Sequence, residues 1–250
     1  MNWLLLRGLA RDKRHWGDFG SLFERRVQDS NVFMLDLPGM GTERHRGSPL
    51  SISGIADDLR HRWLQLTYDF GSPWSILAVS LGGMVAIDWC DRYPYDFQKL
   101  VLVNSSSGGI SNPIRRLQPP VWLEFIRIAM AKTEREKEST ILGFNSNITS
   151  PRSPEIFDEW TRYAEENPND ITNIAKQVVA AARYKAPQEL DGIRTLVLAS
   201  MQDHLTHPSC SWELARRYSA AVAFHDIAGH DLPLDAPEWV ADQVNYWLTD

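Results

Sequence analysis

The 250 residues are 43% hydrophobic and 23% charged, a globular balance that excludes disordered, collagenous and mucin-like chains. Lys and Arg number 26 against 32 Asp and Glu, and a net charge of −6 lacks the electrostatic footprint of a nucleic-acid binder. Cys90 and Cys210 lie far apart and form neither a disulfide framework nor a zinc spacing, so a reduced, cytoplasmic protein is expected. No apolar run approaches a membrane span, and Met1–Arg7 has neither the basic region nor the apolar length of a signal peptide. The expected partner is therefore a small-molecule substrate, with no nucleic acid and no membrane, for a monomer or homodimer. Ten tryptophans require aromatic surface to be buried or to line a pocket.

Short apolar runs without alternation recur along the chain: Trp3–Leu6, Val32–Leu35, Trp74–Val79, Lys99–Val103, Thr195–Ala199 and Ala221–Phe224. Runs of this kind predict strands buried on both faces, hence a mostly parallel sheet. Helical patterns lie between them. Ile55, Leu59 and Trp63 share a face after the capping residue Ser51. Pro237 opens a last helix in which Val240, Val244 and Trp247 or Leu248 align. The alternation is that of an α/β domain with helices on both faces of the sheet.

Between Val103 and Thr195 no strand is predicted. Helices are expected over Pro119–Ala131, Glu134–Leu142, Pro154–Asn167 and Ile171–Tyr184, separated by clusters such as Asn145-Ser146-Asn147 and Ser150-Pro151-Arg152. Residues 106–190 thus form a helical cap inserted into a core made of 1–105 and 191–250. The charge run Lys132–Glu138 is expected to be a solvated helix face.

The strand Trp74–Val79 runs directly into Ser80-Leu81-Gly82-Gly83-Met84 and a helix through Trp89. A serine at such a tight turn is held with its hydroxyl exposed beside backbone N–H groups and a helix N-terminus. Small residues must flank it, here Ala78 and Gly82. Asp203 follows the strand Thr195–Ala199, and His230 follows the strand Ala221–Phe224. A carboxylate and an imidazole on those loops can meet a serine on a central strand: Asp203 orients His230, and His230 takes the proton of Ser80.

Over nearly its whole length the chain resembles the α/β-hydrolases, in particular the small, cap-bearing esterase-like group similar to pimeloyl-ester carboxylesterase. The resemblance rests on Leu4-Leu5-Leu6-Arg7-Gly8-Leu9 with Trp16, Leu35-Asp36-Leu37-Pro38-Gly39-Met40-Gly41, Val79-Ser80-Leu81-Gly82-Gly83-Met84, Asp203, and Gly229-His230 with Asp235-Ala236-Pro237. It implies Ser80 as nucleophile, Asp203 as acid and His230 as base. It also implies that the Leu9 and Leu81 N–H groups form the oxyanion hole. Two positions depart from the family: Arg7 stands where a histidine is usual, and Ala78 where a glycine is usual. Trp3–Leu6 matches the family's third strand, so six strands in the order 2-1-3-4-5-6 are expected. The crevice then opens where the order reverses, between the first and third strands.

Asp36, Asp231, Asp235, His204 and His225 are weaker candidates for the acid or base. Seven scattered histidines predict no metal site, and no phosphate-cradling glycine loop follows the first strand, so no cofactor is expected. The implied activity is carboxylic ester hydrolysis through an acyl-enzyme. A C–C bond hydrolase or lyase with the same triad, or a hydrolase-like binding protein of low turnover, are the alternatives. Arg7, Trp122, Phe125 and Phe144 are candidate substrate contacts, in a cap that also carries Ile128, Ile141, Leu142 and Trp160. Arg7 requires partners if it is buried: carbonyls, a carboxylate, or an anionic group of the substrate.

Overall fold

A computed structural model of the protein describes residues 1–148 and 153–249; the predicted break at Ser150-Pro151-Arg152 lies outside the described residues. Six strands form one sheet: β1 (Asn2–Leu6), β2 (Asn31–Met34), β3 (Trp74–Val79), β4 (Lys99–Val103), β5 (Arg194–Ser200) and β6 (Ala221–His225). Their spatial order is β2-β1-β3-β4-β5-β6, every neighbouring pair is parallel, and the fold is that of the α/β-hydrolases. Burial on both faces holds for the inner strands, whereas β2 and β6 are edges and only half-buried. The outward Val32 N–H of β2 donates to the Glu24 carboxylate at 2.7 Å, which occupies one group of that exposed edge.

Side chains alternate between the two faces as the pleat requires. Leu4, Leu6, Ile76, Ala78, Leu100, Leu102 and Val197 pack under α2 (Ile52–Phe70) and α3 (Leu81–Arg92). Trp3, Leu5, Leu77, Val79, Val101, Val103, Leu196 and Leu198 pack under α1 (Phe19–Arg26) and α11 (Pro237–Thr249). Ser51 caps α2 by accepting from the Gly54 N–H at 3.1 Å. Much of the tryptophan goes into these cores. Trp63 sits edge-on to Trp74 and Trp89, each with ring centroids 5.7 Å apart.

Between β4 and β5 the described residues contain only helices: α4 (Pro113–Arg116), α5 (Pro119–Met130), α6 (Glu134–Asn145), α7 (Pro154–Glu166) and α8 (Ile171–Arg183). The two ends of this stretch meet. Gly108 and Lys185 form a parallel bridge, and the Ala186 N–H donates to the Gly108 carbonyl at 3.0 Å and to Ser107 Oγ at 3.1 Å. Gly108 is there because a Cβ would lie 2.4 Å from the Tyr184 carbonyl oxygen. The remaining helices are α9 (Ser209–Arg217) and the short α10 (Leu232–Asp235).

One expectation fails on α6. Glu138, the last residue of the charge run, is only 3% exposed and pairs with the buried Arg11. A run of charges reads as solvated only when no opposite charge waits beneath the helix, and Arg11 lies far away in sequence.

Leu77 is fully buried in the central strand β3. Leu77→Ala is expected to destabilise the fold by about 2–5 kcal/mol, read as a lower urea midpoint at unchanged slope.

Candidate active site

Ser80 links β3 to α3 and adopts φ 55° and ψ −117°, a conformation that side chains rarely take. Such strain costs on the order of 1–3 kcal/mol and persists only where the surroundings over-determine it. Here they do: the Ser80 N–H donates to the Val103 carbonyl at 2.9 Å. The Ser80 carbonyl accepts from the Gly83 N–H at 2.9 Å and from Ser105 Oγ at 2.8 Å. A Cβ on Gly82 would lie 2.6 Å from the Arg7 carbonyl oxygen and 2.9 Å from that of Leu6. A Cβ on Gly8 would lie 3.1 Å from that of Ser80. The end of β1 therefore rests directly against the serine turn. Among the described residues, neither the Leu9 nor the Leu81 N–H donates to a protein acceptor.

Asp203 and His230 meet as predicted from their loops: His230 Nδ1 lies 2.7 Å from Asp203 Oδ2, and both side chains are buried. The other carboxylate oxygen accepts from the Leu205 and Thr206 N–H groups at 2.8 and 2.9 Å. Asp203 is thus fixed by its own turn, with one oxygen left for the imidazole. That oxygen selects the tautomer with the proton on Nδ1, leaving Nε2 as an acceptor. Among the described residues the Ser80 hydroxyl makes no hydrogen bond, and it stands half-buried at the surface of the turn.

Asn104 was not singled out in the sequence. It follows β4 with φ 44°, and its amide donates to the Gly229 and His230 carbonyls at 3.2 and 2.8 Å and to Ser200 Oγ at 3.1 Å. Its Oδ1 accepts from the Ser200 N–H at 2.8 Å. The visible signal is an asparagine directly after a buried strand, a residue type that tolerates left-handed backbone.

Arg7 finds its partner in Asp231, the residue after His230. Nη1 donates to Oδ1 at 3.1 Å and Nη2 donates to Oδ2, with both side chains about 5% exposed. The guanidinium carbon lies 4.8 Å from the Trp16 ring centroid. Burial raises the Asp231 carboxyl, but the Arg7 charge and hydrogen bonds prevail and hold it below its ordinary value. Of the three partners considered for Arg7, the structure uses a carboxylate of the protein. Asp36 accepts from the Lys13 and Thr42 N–H groups at 2.6 and 2.8 Å, a structural use that closes its turn. Phe125 and Phe144 pack on each other with centroids 6.2 Å apart, and Trp122 is 50% exposed. A cavity of about 650 Å³ opens beside Asp203, lined in part by Gln118, His207, Trp212 and Phe224, and holds neither Ser80 nor His230.

Residues 3–243 match the model of the alpha/beta hydrolase family, and the chain belongs to that family. It is 22% identical to human monoacylglycerol lipase ABHD6 over 252 residues, covering 96% of this chain and 73% of that protein. Among solved structures, the fold is shared with 2-hydroxy-6-oxo-6-phenylhexa-2,4-dienoate hydrolase from Rhodococcus sp. strain RHA1. That match has a TM-score of 0.79 at 19% identity and covers 100% of this chain and 90% of the other. A thermophilic esterase from Thermogutta terrifontis matches with a TM-score of 0.73 at 20% identity, over 100% and 89% of the two chains. Among the described residues no helix is long and apolar enough to cross a membrane, and no group of His, Cys, Asp and Glu is arranged to hold a metal ion.

Removing one member of a buried ion pair strands the other charge. Arg7→Met is expected to destabilise the protein by about 3–5 kcal/mol, and Arg7→Met with Asp231→Leu to recover most of it, measured by urea denaturation. The pH dependence carries a sign. The folded Asp231 carboxyl ionises below its ordinary value of 3.8, so its contribution is complete above that value and is lost as pH falls further. In Arg7→Met the unpaired, buried carboxyl favours its protonated form, and the contribution of Asp231 to the slope of stability against pH should reverse.

Proposed function

We propose that the protein is a serine hydrolase that cleaves a small to medium carboxylic ester through an acyl-enzyme. The observation that carries this reading is the Asp203–His230 hydrogen bond of 2.7 Å on the loops after β5 and β6, together with a serine held at φ 55° on the turn after the central strand β3. Ser80 Oγ attacks the ester carbonyl while His230 Nε2 accepts its proton. The Leu9 and Leu81 N–H groups receive the oxyanion, where loss of one donor typically costs about 3 kcal/mol of transition-state stabilisation. His230 then returns the proton to the leaving alcohol, and water, deprotonated by the same imidazole, releases the acid. Asp203 keeps the imidazole oriented and stabilises it when it becomes charged.

Similarity to a monoacylglycerol lipase and to an esterase supports the ester reading, while the likeness to 2-hydroxy-6-oxo-6-phenylhexa-2,4-dienoate hydrolase keeps the C–C bond alternative in the test. Residues 106–190 act in this reading as a lid over the crevice between β1 and β3. Phe125, Phe144 and Trp122 offer it an apolar lining for the acyl or alcohol group, while Arg7 serves as scaffold through Asp231. No cofactor or metal takes part, and the protein works as a monomer or homodimer.

The test is hydrolysis of p-nitrophenyl esters from acetate to decanoate. Turnover is expected for some chain lengths, with Ser80→Ala reducing kcat by more than about 10³-fold while the fold is retained. Absence of hydrolysis at every length would turn the reading to a C–C bond hydrolase or lyase, or to a binding protein. Residual Ser80→Ala turnover within tenfold of wild type, on the scale of P-nitrophenyl release, would remove the serine from the mechanism.

A further inference from the structure

We propose that Asp235 is a positioning residue for His230, acting by fastening the end of helix α6 onto the histidine loop. The proposal rests on the reading of His230 as the base. The Asp235 carboxylate gathers donors from both sides of that contact. Its Oδ2 accepts from the Gly229 N–H at 2.7 Å and the Asn147 N–H at 2.8 Å. Its Oδ1 accepts from Ser146 Oγ at 2.5 Å and from the Ile148 N–H at 3.4 Å. Among the described residues, the segment after α6 thus contributes three donors and the histidine loop one.

The backbones themselves touch around this carboxylate. The Asp231 N–H donates to the Asn145 carbonyl at 2.8 Å, and a Cβ on Gly229 would lie 2.6 Å from that same oxygen. Gly229 and Asp231 flank His230, so residues 145–147 hold the histidine from both sides. Asn147 extends the contact to the acid: its amide donates to the carbonyl of Gln202, next to Asp203, at 2.9 Å, and to that of Ile227 at 3.3 Å. From the sheet side, Asn104 holds the Gly229 and His230 carbonyls. The imidazole is therefore clamped between a residue of β4's end and a segment of the insertion. The insertion is part of the frame that sets the distance from His230 to Ser80, besides anything it does to substrate.

Asp235→Asn keeps the shape but replaces one acceptor oxygen with a donor facing N–H groups. Misplacement on the order of 1 Å can cost about 10²-fold in rate, so a kcat reduced about tenfold or more is expected, with KM within about twofold of wild type. The His230 Nδ1–H proton resonance, which reports the pairing with Asp203 without turnover, is expected to shift or broaden. Asn147→Ala, on a half-buried side chain, should lower kcat about threefold or more and move the same resonance. A folded Asp235→Asn protein with unchanged kcat and resonance overturns the proposal. So does a loss carried wholly by KM. Should Asp235→Asn fail to fold, an Asn147→Ala protein with unchanged kcat and resonance overturns it instead. A wild type that hydrolyses no ester sinks the ester reading alone, and the resonance then decides the role of Asp235.

Discussion

The site depends on one steric constraint: the end of β1 lies against the turn after β3, with no room for a side chain between them. Gly82 faces the carbonyls of Leu6 and Arg7 at distances that a Cβ would violate, and Gly8 faces Ser80. That contact brings the loop that carries Leu9 against the serine turn that leads into Leu81, and among the described residues neither N–H has a protein acceptor. It exists only because β1 and β3 are neighbours in register, Leu6 opposite Ala78, at the point where the strand order reverses.

The sequence makes the parallel sheet legible because its inner strands are apolar on both faces, so six runs and their order follow from the pattern and the resemblance together. The serine turn is legible because small residues flank it at positions 78 and 82, and at Gly82 a Cβ would meet the Arg7 and Leu6 carbonyls. Asp203 and His230 are legible from their places after strands. What the sequence hides are contacts between segments far apart in the chain. Nothing local tells that Arg7 will meet Asp231, that Glu138 will turn inward to Arg11, or that Asn104 will hold the histidine loop. Each is a polar residue whose partner is brought to it by the fold, and a polar residue read alone looks solvated.

The same contacts explain how the histidine loop, with few apolar side chains, is held still. The histidine loop receives Asn104 from the sheet, Arg7 from the end of β1 through Asp231, and the end of α6 through Asp235. These come from three directions. A loop held by hydrogen bonds from one side can hinge about them, whereas three directions leave it no axis to turn on.

Arg7 shows what a charged pair does at this position. Two opposed loops must be joined across a buried gap, and a planar guanidinium with two parallel donors matches a carboxylate in only one orientation. Apolar side chains of the same volume would bind the loops as tightly, because desolvation consumes much of the attraction in a buried pair. They would not fix the orientation. Trp16 covers one face of the guanidinium, so the fork has little freedom to tilt away from Asp231. Arg11, a few residues on, also pairs with a buried carboxylate, but through one nitrogen: Nη1 donates to both oxygens of Glu138 on α6, at 2.9 and 2.7 Å, with Trp160 over the guanidinium face. The loop that carries the Leu9 N–H is therefore tied to the histidine loop at one end and to the inserted helices at the other. A shift in either would be felt at that N–H.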